Sequence, residues 1–439
     1  MSTQNLLSYS TPVSSLRSPS YTDAASLESE RTISRLRGRL AGSFTKQSKH
    51  GHARLKLTAQ QEGVRMPVYG IGGLVEGVVE LDDVKAEGVD SIQVKIEGRL
   101  KLQELGEAGD STAQLVLDTK MLWEKGPDSQ ECPKTIDFEL TLPTTFTTND
   151  GATYPLPPTF EVKLKGIPGF TARIEYSVSA LINRPSTVPP MVPRVKSKTL
   201  GIHIGTTIVN TPFLYYPRSR PSVPLPRTLN WTPTQGFRLT DEWSTNEAIS
   251  KTKQSHLQDV IIKLHVPKSK IFCFTQRIPF YLSIESSAVS LAAFLPYAPT
   301  TGTKNSKVAM KVEVLRQTTV DVKYENSTNH HARQDMWRVD CIGEGRFHSH
   351  LGNEKTTSAF SGEIAIRDAV QICGFKAAGL SVKDCIVLSM TPPDPVQCPF
   401  RDFRLVVPIR LATNVWNADG NGTDIVNIRP PSTVLHDTA

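Results

Sequence analysis

His348 and His350 stand two residues apart, a spacing that on a β-strand puts both imidazoles on one face, with His330-His331 upstream and Cys341 nearby as a third donor. Zinc needs three or four such ligands and partners that orient them. No Cys/His spacing in the chain matches a known metal site, so these residues read as surface or loop histidines. Gly70-Ile71-Gly72-Gly73 superficially resembles a phosphate-binding loop, but such a loop opens a helix whose N-terminus faces the phosphate. Here the following residues, G-L-V-E-G-V-V-E-L, alternate like a strand. Neither a G-x-S-x-G element nor a convincing Cys–His arrangement for nucleophilic catalysis is present. Asp82-Asp83 reads as a turn at a strand end rather than an acid–base pair. The chemistry on offer is therefore not catalytic: no catalytic, cofactor-binding or metal-ligating residue is assigned, and the chain reads as a non-enzyme.

Charge placement is more informative. The formal net charge is +7, and two windows carry much of the excess. Residues 31–56 hold eight Lys/Arg and no acid, and residues 176–240 hold another eight, again with no Asp or Glu. Surfaces of this kind meet anions: phosphorylated tails, anionic lipid or, less favoured for lack of an aromatic stacking platform, nucleic acid. Arg54 and Lys56, two apart on a candidate first strand, share a face and are candidate phosphate contacts, as are Arg194, Lys196 and Lys198 in the second window. Ser20 and Ser34 each follow an arginine by three residues, a spacing basophilic kinases accept, and phosphorylation there would weaken the positive field.

The elements that must carry these residues are strands. Residues 91–102, S-I-Q-V-K-I-E-G-R-L-K-L, alternate apolar and polar, as do 53–58, 73–81, 113–122, 135–142, 160–164 and 171–181. Asn149-Asp150-Gly151, Pro157-Pro158 and Pro168-Gly169 supply the turns. Short strands at this spacing, without helices between them, argue for a sandwich. Residues 1–50 are Ser/Thr-rich and apolar-poor and read as a disordered basic tail. Ile33, Leu36, Leu40 and Phe44 recur at helical spacing within it, as in a basic amphipathic helix on a membrane, although the solvated tail is the favoured reading. A first β-domain is expected over 51–209, with a last strand over 199–209. A Pro-rich linker follows over 210–235, a second β-domain over 236–413 and a loose tail over 414–439. Six scattered cysteines suit a reducing, cytoplasmic setting, no apolar run is long enough to cross a membrane, and the first residues lack a signal-peptide core.

A family resemblance rests on motifs in order. P-V-Y-G-I-G-G-L-V-E-G-V-V-E-L (67–81) and I-Q-V-K-I-E-G-R-L (92–100) are followed by F-E-L-T-L-P (138–143), L-P-P-T-F (156–160) and A-R-I-E-Y-S-V-S-A (172–180). This series resembles the N-terminal domain of arrestin-like proteins. I-P-F-Y-L (278–282), L-S-V-K-D-C-I-V-L (380–388) and V-P-I-R-L (407–411) resemble the C-terminal domain, and the fungal arrestin-related proteins look nearest. The resemblance implies an all-β chain of two tandem immunoglobulin-like antiparallel sandwiches. It also implies an adaptor that binds cytosolic segments of membrane proteins, possible phosphorylation of which would add anionic charge, for endocytosis, ubiquitination or signalling. Peripheral contact with plasma or endosomal membranes through the basic tail would fit. No P-P-x-Y motif is present, so a ubiquitin ligase would be reached indirectly. The alternative is a structural subunit of a membrane-sorting coat, like the arrestin-fold component of retromer.

Overall fold

A computed structural model describes residues 30–33, 35–37, 40–82, 88–105, 109–126, 131–167, 169–184, 206–299, 309–322, 334–418 and 422–424. Nearly all of the regular structure is strand. Ser91–Leu105 buries Ile92, Val94, Ile96, Leu100 and Leu102 and turns the intervening residues outward, as its alternation predicts. It pairs along its whole length with Gly169–Asn183, so that Ile96 faces Val178 and Val94 faces Ala180. Val68–Tyr69, Thr206–Tyr215, Gly169–Asn183, Ser91–Leu105 and Asp110–Glu124 lie side by side in that order, with Phe160–Leu164 also on Gly169–Asn183. A second sheet runs Gly42–Gln47, Ala53–Gln60, Leu74–Leu81, Thr135–Thr141. The two sheets enclose one core, to which Leu55, Leu57, Val75 and Val79 contribute from one side and Ile92, Ile96, Tyr176 and Val178 from the other.

The rest of the chain builds one large sheet, ordered Trp243–Ser250, Val260–Pro267, Ile278–Glu285, Thr357–Ile366, Gln334–Asn353, Met310–Val322, Leu380–Met390, Phe403–Ala412, Ile271–Cys273, with Phe375–Ala377 on Leu380–Met390. The sheet curls onto itself. Thr252 bridges Phe400, and the Ser250 hydroxyl donates to the Arg401 carbonyl at 2.8 Å, bringing opposite flanks together round a second core. A short helix, Ala288–Phe294, plugs one end, capped by the Ser287 hydroxyl and burying Leu291 and Phe294. Val320, Met336, Ala377 and Leu380 of the large sheet belong to the first core, and Phe375 meets Phe160 edge-on at 5.1 Å. The two cores therefore join through an apolar seam.

Strands also occur in segments expected as tails and linker, and one crosses an expected boundary. Within the supposed tail of residues 1–50, Glu30–Ile33, Arg35–Arg37 and Gly42–Gln47 are strands, and the helical spacing of Ile33, Leu36, Leu40 and Phe44 is not used. Pairing to Ala53–Gln60 and to Arg218–Pro221 supplies the partners that local composition lacks. Gly42 permits the first of these pairings, since a Cβ there would lie 2.6 Å from the Gln60 carbonyl oxygen. The break expected at 209/210 falls inside a ten-residue strand, Thr206–Tyr215, whose Val209, Thr211, Phe213 and Tyr215 point into protein despite the surrounding prolines; residues 199–205 lie outside the described residues. The 210–235 linker also holds Arg218–Pro221 and Trp231–Thr232. In the 414–439 tail, Gly422–Asp424 pairs in parallel with Arg35–Arg37. The helix Ala288–Phe294 was not anticipated at all.

Candidate anion-binding cavity

Where the two cores meet, a cavity of about 700 Å³ opens, inside the ~300–1,000 Å³ range of small-ligand sites. Its apolar wall includes Ile71, Leu156, Tyr215, Phe375, Val382 and Ile409. Its charged residues come from several strands: Arg218 from Arg218–Pro221, Lys376 from Phe375–Ala377, Lys383 and Asp384 from Leu380–Met390, Arg410 from Phe403–Ala412 and Glu30 from Glu30–Ile33.

The carboxylates are spoken for. Asp384 stands opposite Arg316 in the antiparallel register and takes two parallel hydrogen bonds from its guanidinium, at 2.8 and 2.9 Å. Burial alone would lower the Arg316 pKa, but the facing Asp384 carboxylate raises it above its ordinary value. Glu30, nearly buried, forms an ion pair with Arg410, carried there by the pairing of Glu30–Ile33 with Arg218–Pro221. Burial pushes the Cys373 thiol far up, Glu30 and Asp384 add to that, and the two arginines oppose it, so the thiol stays protonated.

Two cations face the cavity on different terms. The Arg218 guanidinium lies 5.7 Å from the centre of the Tyr216 ring, and the Lys376 ammonium 5.2 Å from that of Tyr154. Neither has a carboxylate partner among the described residues. Burial lowers the Arg218 pKa, partly offset by Tyr216. Tyr216 itself is raised by burial first, and its hydroxyl donates to the Gln371 carbonyl at 3.1 Å. Arg218 is half-buried and Lys376 exposed; a half-buried guanidinium leaning on a π-face is stabilised less than one meeting an anion. The cavity thus combines an apolar wall with two cations, Arg218 and Lys376, that meet no carboxylate among the described residues.

Of the residues expected to contact anions, Arg54 and Lys56 do share the outward face of Ala53–Gln60, but neither lines this cavity. Arg54 lies 3.7 Å from Glu80, and Lys56 edges a shallow groove with Gly42 and Ser43. Arg194, Lys196, Lys198, Ser20 and Ser34 lie outside the described residues. Arg218 belongs to the same acid-free window, 176–240, as Arg194, Lys196 and Lys198. The Arg316–Asp384 pair had a fainter signal: Asp384 interrupts the apolar face of L-S-V-K-D-C-I-V-L, a cue that a buried charge needs a partner. Of the histidines, His348 lies 3.4 Å from Glu363, and His350 shares a hydrogen bond with Ser358 at 2.8 Å and stacks on Phe360. His330 and His331 lie outside the described residues, and no three potential ligands converge among those described. No helix among the described residues is long and apolar enough to cross a membrane. No protein-family model matches the chain, and a search of curated proteins finds no match to it.

Proposed function

We propose that the chain is a non-enzymatic, arrestin-like adaptor whose two cores are tandem sandwiches and whose inter-core cavity receives an anionic group, such as a phosphate on the cytosolic segment of a membrane protein. The observation that carries this reading is the pair of cations, Arg218 and Lys376, held over tyrosine rings at the cavity with no described carboxylate to neutralise them. Lys383 adds positive charge to the same wall. The motif series in the sequence supports the adaptor class, and a role in delivering such cargo to endocytic or ubiquitination machinery follows from that class.

The reading is tested with a fluorescent peptide in phosphorylated and unphosphorylated forms. The phosphorylated form binds more tightly, and its affinity falls as salt rises. Arg218→Ala with Lys376→Ala weakens it about ten-fold or more, the scale of a lost charge-assisted contact. Charge reversal at Arg54 and Lys56 changes it far less. Equal affinity for the two peptides would remove the basis of the proposal.

A further inference from the structure

Asp110–Glu124 is the last strand of its sheet: it pairs with Ser91–Leu105 on one side and with no described strand on the other. Among the described residues that outer edge has no strand paired to it, although Thr135–Thr141 approaches it from the inner side, and an edge without a paired strand can accept another. Edges of this kind are blunted by a proline, a short length, bulges, lysines or inward-pointing charges; this strand has bulges towards its ends and an inward-facing pair of charges, Asp118 and Lys120, of opposite sign. This one is fifteen residues long and has no proline or glycine. Irregularities in its pairing fall at Leu115 and Leu122, leaving a regular stretch between them. Within that stretch five consecutive residues, Leu117, Asp118, Thr119, Lys120 and Met121, are exposed, with Leu117 at 60% and Met121 at 50%.

The order of those five residues is its own complement. If a second copy is laid antiparallel with Thr119 opposite Thr119, then Asp118 of each copy faces Lys120 of the other, and Leu117 faces Met121. The alternation sorts them by face. Leu117, Thr119 and Met121 stand opposite Glu97, Lys95 and Gln93 on the outer face of the sheet, while Asp118 and Lys120 stand opposite Ile96 and Val94 on its inner face. The two apolar contacts thus lie on one side of the joint and the two ion pairs on the other. Lys120 now reaches the Glu139 backbone carbonyl at 3.3 Å, a contact between exposed groups that a facing carboxylate would outcompete.

We infer that Asp110–Glu124 is a homodimerisation edge, on which a second copy of this chain pairs antiparallel about Thr119 and continues the sheet across both molecules. The pairing is isologous, so it closes at two copies and consumes the edge instead of propagating a fibre. The inference stands independently of the cavity and of the adaptor reading, because no residue of this edge lines that site.

Sedimentation of the full chain at about 100 µM suits an interface small enough to be transient. The wild type sediments as a dimer. Asp118→Lys places lysines opposite lysines, Lys120→Asp places acids opposite acids, and each single variant loses about ten-fold or more in dimer affinity, since like charges directly opposed destabilise a strand pair. An equimolar mixture of the two single variants forms a heterodimer, and the double exchange Asp118→Lys/Lys120→Asp dimerises like the wild type. Because all the substituted side chains are exposed, unchanged far-ultraviolet circular dichroism accompanies each result. A monomeric wild type, single variants that dimerise unimpaired, or a mixture that stays monomeric would each overturn the inference.

Discussion

Arg316 and Asp384 face each other across two antiparallel strands, with 11% and 1% of their side chains exposed, and their two hydrogen bonds lie behind the inter-core cavity. Such a pair is costly to break and cheap to replace. Asp384→Ala leaves a buried guanidinium without its counter-charge and lowers unfolding stability by about 3–5 kcal/mol. Replacing both partners with apolar residues of similar size, Arg316→Met with Asp384→Leu, recovers most of that loss. Urea unfolding of the three chains measures it; a double variant as unstable as the single one would mean that the site depends on the charges themselves.

Gly98 and Tyr176 are cross-strand partners, and a Cβ on Gly98 would sit 2.5 Å from the Tyr176 ring. The ring has nowhere to go, because its hydroxyl donates to the Pro157 carbonyl at 2.6 Å and its face stacks on Phe213. Gly98→Ala is expected to cost about 1–3 kcal/mol by overpacking, and Tyr176→Phe about 1 kcal/mol from the lost hydrogen bond. The two costs add if the ring keeps its place; a Gly98→Ala chain with wild-type stability would show that the strands part easily.

These two relationships mark how far the sequence could be read. The alternation through Ile92–Ile96 and Ala172–Ala180 is local, and it yields two paired strands with their buried faces correctly assigned. The glycine in I-E-G was legible as part of a motif, but its reason, a tyrosine on the neighbouring strand, is not local. Arg316 and Asp384 are 68 residues apart in the chain, and nothing near either names the other. The same holds for Glu30, which lies in a stretch whose composition reads as solvated tail and becomes a strand only by pairing with Arg218–Pro221. Composition reports what a segment could bury alone; it is silent on what a distant edge can offer it.

His265 supplies a pH dependence. Only 3% of the residue is exposed; Nδ1 shares a hydrogen bond with the Thr245 hydroxyl at 2.9 Å, Nε2 is buried with no partner among the described residues, and the Phe237 ring packs against the imidazole. Burial, reinforced by Lys263 and opposed by Glu285, lowers its pKa to about 4 from an ordinary 6.5. The unfolded chain therefore takes up a proton at a higher pH than the folded one. Stability tied to this residue is complete above pH 6.5 and is lost as pH falls toward 4, by about 2 kcal/mol at pH 5. His265→Gln should flatten that part of the stability profile between pH 7.5 and 5, measured by urea unfolding. An unchanged slope would assign the dependence to other groups.

Glu30 bears on the cavity from a segment that pairs through only four residues. Its carboxylate meets Arg410, so one of the cavity's cations is already answered by the chain's own anion. If the cavity receives a phosphate as proposed, that phosphate must compete with Glu30. Glu30→Gln keeps the strand's shape and removes the competitor, leaving Arg410 to the guest, so the affinity for a phosphorylated peptide should rise, by about ten-fold for one unit charge at a partly screened site. The increase should shrink with added salt and vanish in Glu30→Gln combined with Arg410→Gln. Peptide titrations of the three chains decide the matter. An affinity unmoved by Glu30→Gln would mean that the guest does not reach Arg410, and the charge of the Glu30–Ile33 strand would then serve the seam between the two cores alone.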